Sequence, residues 1–146
     1  MLIPRPVSIS DSSGSFALTP ATTIHAPDAP EVAALLRELL TPVTGLPLPD
    51  APGPGPHTVA LLVDPGATDL GAEGYRLEVA RTGVTAVATG PAGLRWAVQG
   101  LRQLLPAAAF ASGARDTAWT VAPVSIVDTP RYPWRGLLVD VGRWHK

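Results

Sequence analysis

The residues best suited to chemistry lie at one end of the chain. In Trp134-Arg135-Gly136-Leu137-Leu138-Val139-Asp140-Val141 a nearly continuous apolar run carries one cation, Arg135, and one anion, Asp140. That run has the pattern of a strand buried on both faces of a parallel sheet. A guanidinium in such a strand is costly unless it is paired or met by polar ligand groups, so Arg135 serves either a structural ion pair or a substrate contact. Spacing alone favours the pair. Elsewhere the candidates are weaker. His25, His57 and His145 are the only imidazoles and share no HExxH or comparable spacing, which argues against a metal site. Asp64, Asp69, Glu73 and Glu78 fall around a loop and on the polar side of an alternating strand, where solvated charge is the default. Gly90-Pro91-Ala92-Gly93 has the strand-to-helix position of a phosphate loop but not its glycine spacing, and it reads as a cap with proline in the first helical turn. No Ser/His/Asp grouping emerges, so residues 1–129 hold no catalytic constellation.

Composition narrows the classes further. With 146 residues the chain has room for one domain and a stub but not for an added barrel of roughly 250 residues. Hydrophobic residues make up 46% and charged residues 16%, the balance of a globular protein. Eleven basic and twelve acidic residues leave a formal charge of −1 without a Lys/Arg stripe, so nucleic acid is not an expected partner. There is no cysteine, which excludes disulfides and thiolate metal sites. No run approaches the ~18 apolar residues of a membrane span, and Met1-Leu2-Ile3-Pro4-Arg5-Pro6 lacks the plan of a signal peptide. The expectation is a cytoplasmic chain, unless an export signal lies outside this sequence.

The elements that must position Arg135 follow from periodicity. Val7 to Ser10, Phe16 to Leu18 and Thr22 to Ala26 read as short strands, the first two separated by the turn-forming Asp11-Ser12-Ser13-Gly14-Ser15. Asp28-Ala29-Pro30-Glu31 offers a capping acid, a first-turn proline and an early carboxylate. Val32, Leu35, Leu36, Leu39 and Leu40 then form one helical stripe. From Pro42 to Pro56 six prolines and three glycines predict a surface loop. Val59 to Val63 resumes a buried-strand pattern. Gly74 to Ala80 alternates strictly, turns at Arg81-Thr82-Gly83, and pairs antiparallel with Val84 to Thr89. A second helix places Leu94, Ala97, Val98, Leu101 and Leu105 opposite Arg95, Gln99, Arg102 and Gln103, and Pro106 closes it. Ala107 to Ala118 is irregular, and Trp119 to Val127 is a last strand broken at Pro123. Together these predict an α+β two-layer sandwich, a mainly antiparallel sheet covered on one face by two helices.

Pro130 to Arg143 resembles the pattern P-R-[FY]-x-W-R-G-x-x-x-D-x-[AS]-R that opens the catalytic barrel of family 20 glycoside hydrolases, the β-N-acetylhexosaminidases. Glu73-Gly74-Tyr75-Arg76-Leu77 to Val87, and Pro91-Ala92-Gly93-Leu94 through Leu105, are similar to the hairpin and helix of the small domain preceding that barrel. The likeness runs from about Pro6 to Lys146; Gly142, Gly100 and the order Trp144-His145 depart from the usual pattern. The resemblance implies a non-catalytic α+β domain over 1–129, and over 130–146 the first strand of a (β/α)8 barrel. It implies a parent enzyme that releases terminal N-acetylhexosamine from glycans by substrate assistance, without metal or organic cofactor. The general-acid Glu and its neighbouring Asp have no counterpart here, so the chain itself is expected to be inactive. Arg135 alone matches a family site, the arginine that hydrogen-bonds sugar hydroxyls. The alternative is a stand-alone carbohydrate-binding or protein-interaction module presenting Trp119, Trp134 and Trp144. An unpaired apolar strand from Trp134 to Val141 would also invite self-association.

Overall fold

A computed structural model describes residues 2–11, 13–132, 134–136 and 138. The strands are β1 (Ser8–Asp11), β2 (Phe16–Ala17), β3 (Thr23–His25), β4 (Thr58–Val63), β5 (Tyr75–Val79), β6 (Val84–Ala88), β7 (Thr120–Val121) and β8 (Val124–Asp128). The helices are α1 (Pro30–Thr44) and α2 (Pro91–Leu104). Six strands form one sheet in the order β1-β8-β5-β6-β4-β3, and β2 pairs with β7 in a separate ribbon. The pairs β1–β8, β8–β5 and β5–β6 are antiparallel. β6–β4 and β4–β3 are parallel, so the sheet is mainly antiparallel, as expected, with a parallel edge of three strands.

Alternation decides which face is covered. Tyr75, Leu77 and Val79 of β5 are buried while Arg76 and Glu78 are exposed. The register aligns Leu77 with Ala86 and Ile126, extending that apolar row across the sheet. Leu94, Ala97, Val98 and Leu101 of α2 and Val32, Leu36, Leu40 and Val43 of α1 complete one core. Each large side chain so buried contributes about 1.5–3 kcal/mol of transfer free energy before entropy is subtracted. β4 is buried through its first four residues, as its uninterrupted apolar sequence predicts.

Three local expectations change. The first helix does not stop before Pro42 but runs through it to Thr44. Proline removes one amide donor near the end of the helix, and burial of Val43 together with the left-handed Gly45, whose N–H donates to Thr41 O at 2.9 Å, holds the last turn. Its N-cap is Ala29 rather than Asp28, with no side-chain cap, and Pro30 opens the helix. The proline-rich loop is tied back to this helix by Arg37, which donates to Leu48 O at 2.9 Å and pairs with Asp50. Lastly, the break at Pro123 sends the two halves of the final strand to different sheets, β7 to the ribbon and β8 to the main sheet.

Candidate functional site

Two glycines build the ground on which Arg135 lies. A Cβ on Gly93 would overlap the carbonyl oxygen of Gly74, and one on Gly74 would overlap the carbonyl oxygen of Leu70. The first turn of α2 therefore rests directly on the backbone of the turn before β5. Glu73, in that turn, comes to lie beside the solvent side of the helix, where Ala92, Trp96 and Gln99 line an open groove of about 430 Å³ together with Leu35 of α1.

Arg135 closes this groove. Its Nη2 pairs with Glu73 Oε2, its Nη1 donates to Tyr132 O at 2.8 Å, and its guanidinium carbon lies 5.8 Å from the centroid of the Trp96 ring. A planar cation is thus held by a carboxylate, a carbonyl and an indole face. The described residues Trp134, Arg135, Gly136 and Leu138 belong to no strand, and Trp134 and Leu138 are 82% and 94% exposed. The remainder of the strand expected over Trp134 to Val141, with Asp140, lies outside the described residues.

The other candidates do structural work. His25 Nδ1 lies 3.0 Å from Ala51 O, tying the proline-rich loop to the sheet edge. His57 sits at a positive-φ turn with its N–H on Thr82 O at 2.6 Å and its carbonyl accepting from Thr23 N at 3.0 Å. His145 lies outside the described residues. Asp64 Oδ1 accepts from Gly66 N at 2.8 Å, Asp69 pairs with Arg76 at 3.1 Å, and Glu78 is exposed on the open face of the sheet. Among the described residues no three His, Cys, Asp or Glu side chains are grouped to hold a metal. No described helix is long and apolar enough to cross a membrane. Gly90 caps α2 with Pro91 in its first turn, as expected.

Of the tryptophans considered as a binding face, Trp119 is 6% exposed and packed in the core, so it presents no surface. Trp144 lies outside the described residues. Sequence reading passed over Trp96, which is 48% exposed. The signal was available, because position 96 falls off the 94-97-98-101 stripe and a tryptophan there has no core to enter. Tyr75 is buried, and burial, reinforced by Asp128, pushes its hydroxyl up to about 12. It therefore stays protonated and serves packing rather than proton transfer. Its hydroxyl fills the space beside Gly100, where a Cβ would come within 2.9 Å of it.

The profile of Glycosyl hydrolase family 20, domain 2, matches residues 1–129. A Beta-N-acetylhexosaminidase of Cellulomonas fimi is 38% identical over 150 residues, which cover 97% of this chain and 28% of the relative. A Beta-hexosaminidase of Porphyromonas gingivalis is 32% identical, over 97% of this chain and 19% of its own length. Among solved structures, the β-N-acetylhexosaminidase of Streptomyces coelicolor superposes with a TM-score of 0.84 at 40% identity, covering 91% of this chain and 27% of that one. The N-acetyl-β-hexosaminidase of Streptomyces plicatus, solved with Thio-NAglucal, gives 0.80 at 38% identity over 92% of this chain and 27% of its own. The chain thus spans between 19% and 28% of the length of these relatives. Profile, sequence and architecture agree, and the chain belongs to glycosyl hydrolase family 20.

Proposed function

We propose that residues 1–129 are the non-catalytic, barrel-preceding domain of a β-N-acetylhexosaminidase and that residues 130–146 begin its catalytic barrel. In the longer protein the reaction is hydrolysis of terminal N-acetylhexosamine with the substrate's own acetamido group as nucleophile, and Arg135 donates to hydroxyls of the terminal sugar. The 146-residue chain does not itself turn over substrate.

One observation carries this reading. Nearly the whole chain aligns with only 28% of the Cellulomonas fimi enzyme, and the acidic and imidazole groups singled out in the sequence are committed to turns, ion pairs or the open sheet face wherever they are described. The test is an assay of the purified chain on a chromogenic N-acetylglucosaminide. Release at the rate of buffer is expected; turnover above it places the chemistry in this chain and overturns the proposal. The alternative, a sugar-binding module, draws on the half-exposed Trp96, but Arg135 already lies over that ring. Titration with chitobiose while following tryptophan fluorescence separates the two: a saturable change favours the module.

A further inference from the structure

We propose that β1 is a docking edge for a second copy of this chain, the two β1 strands pairing antiparallel about a two-fold axis. The two edges of the six-stranded sheet are treated differently. Beyond β3 the proline-rich loop lies alongside as a substitute strand: Ile24 N donates to Pro49 O at 2.8 Å and Ala51 N donates to Ile24 O at 2.7 Å. Pro47, Pro49 and Pro52 leave that side poor in donors. At the opposite edge nothing among the described residues pairs with the outer side of β1, and all four of its residues are exposed. Alternate residues there turn N–H and C=O away from β8. The sequence Ser8-Ile9-Ser10-Asp11 carries neither the proline nor the lysine that commonly blocks an edge.

An apolar row also runs off this edge. Ala86, Leu77 and Ile126 are buried in register, and Ile9, opposite Ile126, continues them but is 38% exposed. Val7, two residues back, is 70% exposed. These side chains identify the occupant. An antiparallel partner centred on Ile9 sets Ile9 against Ile9, Ser8 against Ser10 and Val7 against Asp11, so the row is extended and no like charges face each other. β1 of a second copy supplies that match, and pairing of one patch with itself closes after two copies. The strand is only about 14 Å long at ~3.4 Å per residue, so the interface falls short of the ~800 Å² per partner of stable complexes. The association is therefore weak, in the range of about 10 µM to 1 mM.

Sedimentation velocity of the full chain across that range tests the proposal. The average mass is expected to climb from that of one chain toward that of two as concentration rises. Ser8→Lys together with Ser10→Lys sets lysine against lysine at two places and should weaken association about tenfold or more; Ser8→Glu together with Ser10→Glu should do the same. Both serines are exposed, so neither double variant should lose its fold. An equimolar mixture of the two should associate again, because each lysine then meets a glutamate. Association through the exposed Trp134 and Leu138 instead would leave both double variants as strongly associated as the parent. That result, a mass that stays at one chain throughout, or no recovery on mixing would overturn the proposal. No sugar enters this test, so its outcome is independent of the enzymatic reading above.

Discussion

The segments on either side of Thr129 are both rich in apolar residues, yet they meet opposite fates. Val124 to Asp128 pairs with β1 and β5 and buries Val124 and Ile126. A few residues later Trp134 and Leu138 face solvent, and among the described residues of that stretch the side-chain ties are those of Arg135. The difference is one of partners. An apolar run states a capacity for burial, and burial follows only where neighbouring strands and a helix layer offer a surface to pack on.

That contrast predicts unequal responses to equal substitutions. Leu94 is fully buried beneath α2, so Leu94→Ala should cost about 2–5 kcal/mol in denaturant unfolding, whereas Leu138→Ala should stay within about 0.5 kcal/mol. Equal losses at the two positions would erase the distinction. Next comes glycine to alanine. At Gly93 the new methyl meets the Gly74 carbonyl and backbone must shift, at roughly 3 kcal/mol; at Gly136 it meets only the exposed Trp134 ring, which can move, and the effect should be near zero.

Tyr75 sharpens the comparison by pH. Its folded value of about 12 lies above the ordinary 10, so between those pH values the folded chain keeps a proton that the unfolded chain has lost. Its contribution is fully present below pH 10 and is lost as pH rises toward 12. A two-unit displacement corresponds to about 2–3 kcal/mol, and Tyr75→Phe should flatten that part of the stability profile relative to the parent. Smaller again is Arg102→Ala. The Arg102 side chain donates twice to Ala109 O, at 3.1 and 3.0 Å, and lies 4.3 Å from the Phe110 ring centroid. Its loss should cost about 1 kcal/mol and loosen the turn at 107–110, measurable by hydrogen exchange.

Legibility in the sequence followed the range of the interactions. The β5–β6 hairpin and α2 could be read because alternation, the Arg81-Thr82-Gly83 turn and helical spacing are all local. The far end of α1 could not, because Pro42 argues for a loop and only tertiary burial of Val43 overrides it. The uninterrupted apolar run of β4 is consistent with a parallel neighbourhood, but which strands flank it, β6 and β3, is not encoded locally. At the candidate site, Arg135 stood out as a cation in an apolar run, and it pairs with Glu73. Its partner Glu73 lies 62 residues earlier, a separation that no local pattern encodes. Trp96 was missed because its neighbours Arg95 and Gln99 already accounted for a solvent-facing side.

The claim beneath the comparison is that everything up to Thr129 folds on its own core and the following residues add almost nothing to it. Thermal unfolding of residues 1–129 beside the full chain tests it most directly. The account predicts one cooperative transition in each and midpoints within about 3 °C, the scale of one partly exposed ion pair, with any self-association through Tyr132, Trp134 and Leu138 confined to the longer chain. A shorter chain that fails to fold, or melts more than about 6 °C lower, would mean that the tail is part of the core and would contradict it.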